Sequence, residues 1–156
     1  MISPLFVTWN KDDRLRGCIG TFGELPLAEG LEQYALTSAL SDSRFKPVSK
    51  VELPQLSCAI SLLTHFEDCS DHLDWHIGTH GIYITLPKQR ISATYLPDVI
   101  PEQKWSKLEA IDSAIRKAGY AGRITDELRK ELKVQRYQSE KTSCTYQQYR
   151  AWKQAT

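Results

Sequence analysis

In the run LRGCIG, Leu15 to Gly20, Cys18 has Gly17 and Gly20 close by and Arg16 two residues before it, in a segment that alternates like a β-strand. The thiolate is the nucleophilic and redox-active form of cysteine, and a neighbouring cation or imidazole is the usual way to favour it. Nearby glycines allow positive φ or the close approach of another group, as a nucleophile or a bound ligand requires. On an unbroken strand Arg16 and Cys18 share a face. The competing reading is a small buried residue in a strand bulged by its glycines, since free cysteine is among the most buried residue types.

Three other polar residues stand out. Asp42 and Arg44 in SDSRF suit a helix-terminal ion pair, or, for Arg44, a guanidinium fork holding a carboxylate or phosphate. His80, in GTHG, is either a turn histidine with an exposed ring or a proton shuttle for Cys18. The composite expectation is a site with Cys18 and His80 as catalytic groups and Arg16, Gly17, Gly20, Asp42 and Arg44 binding substrate. Cys58, His65, Cys69, His72 and His76 lack the paired spacing of a structural zinc site, so neither a metal nor a cofactor is expected.

These residues need a scaffold. Leu5 to Trp9 and Leu15 to Thr21 flank the polar turn NKDD and predict a hairpin carrying Cys18 on its second strand, with Leu15 and Ile19 in the core. Leu27, Leu31, Tyr34, Ala35 and Ala39 predict an amphipathic helix ending near SDSRF. Leu56 to Thr64 reads as a buried strand, and His80 to Leu86 with Arg90 to Leu96 as a second hairpin around PKQ. Trp105, Leu108, Ile111 and Ile115 mark a helix closed by Gly119. A short helix from Thr125, a strand over LKVQRYQ and a terminal helix over TYQQYRAWKQ complete the chain.

A length of 156 residues without repeat or linker predicts one domain, 1–156. The net charge of +1 gives no overall field toward nucleic acid, so such binding would have to come from a local patch. Residues 116–141 are one, with eight basic residues against four acidic ones and Tyr120 and Tyr137 interleaved. No segment approaches the ~20 apolar residues of a membrane span. MISPLFVTWN reads as a strand rather than a secretion signal, and four scattered cysteines suit a reducing compartment. A cytoplasmic or nuclear protein, not secreted, is expected.

LRGCIG resembles the signature of the AMMECR family, and further blocks follow in order: LTSALSDSRF, SLLT, GTHGIYI, TYLPDV, IRKAGY and RYQSEK. The resemblance implies an α+β fold, an antiparallel β-sheet flanked by helices with a smaller, mostly β lobe, and a family whose activity is unassigned. Members of the family carry a further helix ahead of LFVTW, which implies apolar surface left uncovered here. Two functions compete. One is a cysteine-dependent enzyme or enzyme partner acting on a small anionic or peptide-like substrate. The other is a non-catalytic binding module, for nucleic acid through residues 116–141 or for a protein partner.

Overall fold

The computed structural model describes residues 3–156, which form an α+β fold of six strands hydrogen-bonded in the order β2-β1-β3-β6-β4-β5. The strands are β1 (Leu5–Lys11), β2 (Arg14–Thr21), β3 (Leu56–Asp68), β4 (Gly81–Leu86), β5 (Ile91–Tyr95) and β6 (Lys133–Thr145). Two compact units divide the chain: one runs to Leu63 and resumes at Glu140–Thr156, and the other is Thr64–Ser139.

In the first unit β1 pairs antiparallel with both β2 and β3. The β1–β2 hairpin turns on Asp12 and Asp13, whose φ of 48° and 62° match the left-handed two-residue turn that follows strand twist. Helix α1 (Leu27–Leu40) turns Gly30 and Ser38 fully inward, with Leu27, Leu31, Tyr34 and Ala35 half-buried at helical spacing beside them. Leu5 and Val7 are buried on β1, while Thr8, between positions of the opposite parity, is half-buried. A 3-10 turn (Lys50–Gln55) leads into β3, and α5 (Tyr146–Ala155) follows β6 with Thr145 as its cap.

The second unit has the larger apolar cluster. There β4 pairs with β5 and β6, and α2 (Val99–Gln103), α3 (Lys107–Lys117) and α4 (Asp126–Glu131) supply the helices. Ile82, Ile84, Leu86, Ile100, Ile111 and Ile115 are fully buried, each contributing about 1.5–3 kcal/mol of burial. The capping box of Ser106 and Glu109 starts α3, and Gly119, at φ 103°, lies just past its end. No helix among the described residues is long and apolar enough to cross a membrane.

Candidate functional site

LRGCIG lies on β2, an outer strand of the sheet. Cys18 pairs with Thr8 and is half-buried, and the Thr8 hydroxyl donates to its Sγ at 3.2 Å. The main-chain groups of Cys18 on the outer edge are taken by SDSRF. Its N–H donates to Asp42 Oδ2 at 3.0 Å, and Arg44 Nη2 donates to its carbonyl at 3.3 Å. Arg44 also grips Asp42 twice, through Nε at 3.0 Å and Nη2 at 2.7 Å. The buried Asp42 carboxyl is held well below the usual carboxylate range, first by the Arg44 guanidinium and then by the Cys18 N–H. This acid–base pair therefore closes a sheet edge that would otherwise present unpaired groups.

The glycines answer to packing. A Cβ on Gly17 would overlap the Ser38 carbonyl oxygen of α1, and one on Gly20 would overlap the Leu5 carbonyl oxygen and the Phe6 ring. Neither has positive φ. The space beside the thiol in sequence is filled by the protein's own backbone and ring.

Arg16 follows a different course from its alternation with Cys18. Trp9 pairs with Gly17 and Asn10 with Leu15, so the register skips Arg16. Such a bulge re-aims a side chain. Arg16 reaches Glu52 through Nε at 3.0 Å and Nη2 at 3.3 Å, and the Lys46 carbonyl through Nη1 at 2.7 Å. Arg16, the Ser49 N–H and Lys11 together hold the Glu52 carboxyl below its ordinary range. Leu15, expected in the core, is 44% exposed at the hairpin tip, whereas Ile19 is half-buried.

His80 belongs to the second unit and is buried there. Its Nδ1 accepts the His76 N–H at 2.9 Å, and the two imidazoles stack at 5.7 Å. Burial holds its pKa down, with the charges of Arg136 and His76 adding to the effect. Part of the basic stretch 116–141 is occupied as well. Arg129 pairs with Asp112 and Asp126, Arg136 with Glu67 and Asp74, and Arg116 donates to the carbonyls of Tyr120 and Gly122. Among the described residues no three His, Cys, Asp or Glu side chains are grouped to hold a metal ion.

A second candidate lies at α5. Trp9, Leu53, Leu56 and Cys58 floor a groove of about 770 Å3, walled by α5 from Tyr146 to Gln154. Cys144 also lines it. Burial, with a lesser effect of Cys144, pushes the Cys58 thiol up to about 11. Along α5 the rings of Tyr146, Tyr149 and Trp152 follow one another at 6.4 Å and 6.2 Å, with Trp152 63% exposed. The sequence predicts this helix and assigns it no site. The available signal was aromatic residues at three-residue spacing on a helix without an acidic residue.

The family model AMMECR1 matches residues 2–142. An uncharacterized protein of Arabidopsis thaliana is 50% identical over 162 residues, covering 98% of this chain and 76% of its own length. An uncharacterized protein of Schizosaccharomyces pombe is 43% identical, covering 94% of this chain and 77% of its own. The crystal structure of an uncharacterized protein from Pyrococcus horikoshii superposes with a TM-score of 0.72 at 28% identity, over 91% of this chain and 73% of that one. The relatives carry no assigned activity in their names. With the family model spanning most of its length and these identities beside it, the chain belongs to the AMMECR1 family.

Proposed function

We propose that this protein is a non-catalytic binding module, that the groove at α5 is its ligand-facing surface, and that the LRGCIG strand is part of the frame. The supporting observation is the contrast in occupancy: Arg16, Asp42 and Arg44 are held by partners within the protein, while the aromatic face of α5 is open. Exposed apolar side chains gathered at a concave surface mark binding sites, whereas ion-paired groups on a sheet edge maintain structure.

A cysteine-dependent reading retains one specific support. Cys18 is only half-buried, and the guanidinium of Arg44 lies on its main chain with a side chain 55% exposed. In that reading Cys18 is the nucleophile, and Arg16 and Arg44 hold an anionic group of a small or peptide-like substrate.

Alkylation of the native protein with a mild reagent, followed by peptide mapping, separates the two. The binding-module reading expects Cys144, the exposed thiol, to react first, with Cys18, Cys58 and Cys69 slower. Preferential modification of Cys18, slowed by added phosphate, would establish a reactive anion-assisted thiol and displace the binding-module reading.

A further inference from the structure

We infer that the groove at α5 receives an amphipathic helix of a partner protein, apolar on the face it buries and acidic along the flank that meets Arg150 and Lys153; this rests on the binding-module reading above. Three observations carry it.

The first is the charge of the rim. Among the described residues no acidic one lines the groove, and α5 contains none. Arg150 and Lys153 lie over the rings of Tyr146 and Tyr149 at 5.9 Å and 5.8 Å, and each reaches a tyrosine hydroxyl at 3.4 Å. Neither has a carboxylate within ion-pair distance among the described residues. A cation held against an aromatic face beside an apolar floor is positioned for a carboxylate brought by a ligand.

The second is the floor. It is built from β1, β3 and the 3-10 turn, and the strands there already have neighbours on both sides, β1 between β2 and β3, and β3 between β1 and β6. It offers side chains and no free main-chain edge. An extended peptide needs such an edge for its own N–H and C=O groups, whereas a helix satisfies them internally and brings only side chains. The occupant is therefore helical.

The third is the extent of the aromatic strip. Trp152 continues the row past the groove, so the surface is longer than a small-molecule pocket and has the Tyr, Trp and Arg composition in which binding energy concentrates at protein interfaces. Single-stranded nucleic acid would also stack on such a strip, but its affinity comes chiefly from phosphate neutralisation. Two cations above an apolar floor supply little of that.

The experiment is a selection on the intact chain from a displayed library of random peptides about 16 residues long, enough for four helical turns. Enriched peptides are synthesised and titrated by fluorescence anisotropy against the wild-type chain, Trp152→Ala and Lys153→Glu. Both substituted side chains are exposed, and far-UV circular dichroism verifies that each variant is folded. The expected result is a set with apolar residues at helical spacing and net negative charge. These peptides gain helicity on binding, slow alkylation of the groove residue Cys144, and bind each variant about tenfold more weakly or worse. Enriched peptides that depend on Trp152 but carry no acidic bias would overturn the acidic-helix partner and leave the binding module standing. A selection that yields no Trp152-dependent peptide would overturn both. Binding of a single-stranded oligouridylate of about 15 nucleotides that is lost in both variants would assign the surface to nucleic acid instead. Concentration-dependent dimerisation by sedimentation, abolished in Trp152→Ala, would assign it to a second copy.

Discussion

Around Cys18 the conspicuous groups are occupied by the protein itself, whereas along α5 the conspicuous groups are turned outward, and both regions belong to the same compact unit. Against β2, Arg44 holds Asp42, Asp42 holds the Cys18 N–H, and α1 leaves no room for a side chain at Gly17. On α5, no residue is buried and the rings and cations lack carboxylate partners among the described residues. An unusual residue type marks a constraint without saying which kind. Glycine and a buried acid beside a cysteine can serve a sheet edge as well as a reaction. A row of exposed aromatic side chains marks a surface for contact.

Gly17→Ala is expected to have the largest effect. The added Cβ meets backbone, which cannot swing aside as a side-chain tip does, so the loss of stability should be about 3 kcal/mol or more. The midpoint of urea unfolding measures it. A wild-type midpoint would mean that α1 does not bear on the strand, and the contrast with α5 would fail.

Asp42→Asn should lower the melting temperature clearly, because the Arg44 guanidinium and the Cys18 N–H lose a charged acceptor. The same site sets a pH dependence. Asp42 and Glu52 titrate in the folded protein below their ordinary values of 3.8 and 4.5. As the pH falls past those values the unfolded chain takes up protons that the folded chain does not, so stability is full above them and is lost on further acidification. Melting temperatures from about pH 6 to pH 3 should show this limb, shallower in Asp42→Asn. Parallel limbs in the two proteins would remove Asp42 from the lock.

His80 should produce a weaker limb at higher pH. Its folded form is neutral at Nδ1, and its pKa lies below the ordinary 6.5, so the unfolded chain is protonated first as pH falls through that value. Stability is therefore unaffected above it and declines below it. His80→Gln should flatten the slope between about pH 7 and pH 5. A slope unchanged by the substitution would place that titration elsewhere.

Smaller still, Cys18→Ser should remain within about 1 kcal/mol of wild type, since the Thr8 hydroxyl offers the new hydroxyl a partner. Denaturant unfolding provides the value, and a loss as large as that of Gly17→Ala would make the sulfur itself a packing element. Trp152→Ala should leave stability within about 0.5 kcal/mol, as expected of a side chain with little to hold. A marked destabilisation there would show that the strip on α5 is structural and would erase the contrast from the other side.

The hairpins, α1, α3 and the terminal helix were legible as periodicity, because a repeat of two or of three to four apolar positions is a local property, although Trp105, read into α3, precedes its Ser106 cap. The ends of the long strands were not. β3 continues past Thr64 to Asp68, and β6 continues past Gln138 to Thr145, through residues whose polarity reads as loop. Leu15 looks like core by type but stands exposed beside the point where the register skips Arg16. That bulge also interrupts the alternation on which the shared face of Arg16 and Cys18 depended.

The α+β class, membership of the AMMECR1 family and the order of the six strands and the longer helices follow from the amino-acid sequence alone, since each rests on local pattern or on blocks in sequence order, whereas α2 and the 3-10 turn were not legible there. Which groups are taken follows from tertiary contacts. Asp42 meets Cys18 across 24 positions of sequence, and Arg16 meets Glu52 across 36. Whether a charged side chain is available to a ligand depends on what distant segment reaches it first, and a backbone that passes close to Gly17 leaves no trace at position 17 beyond the glycine.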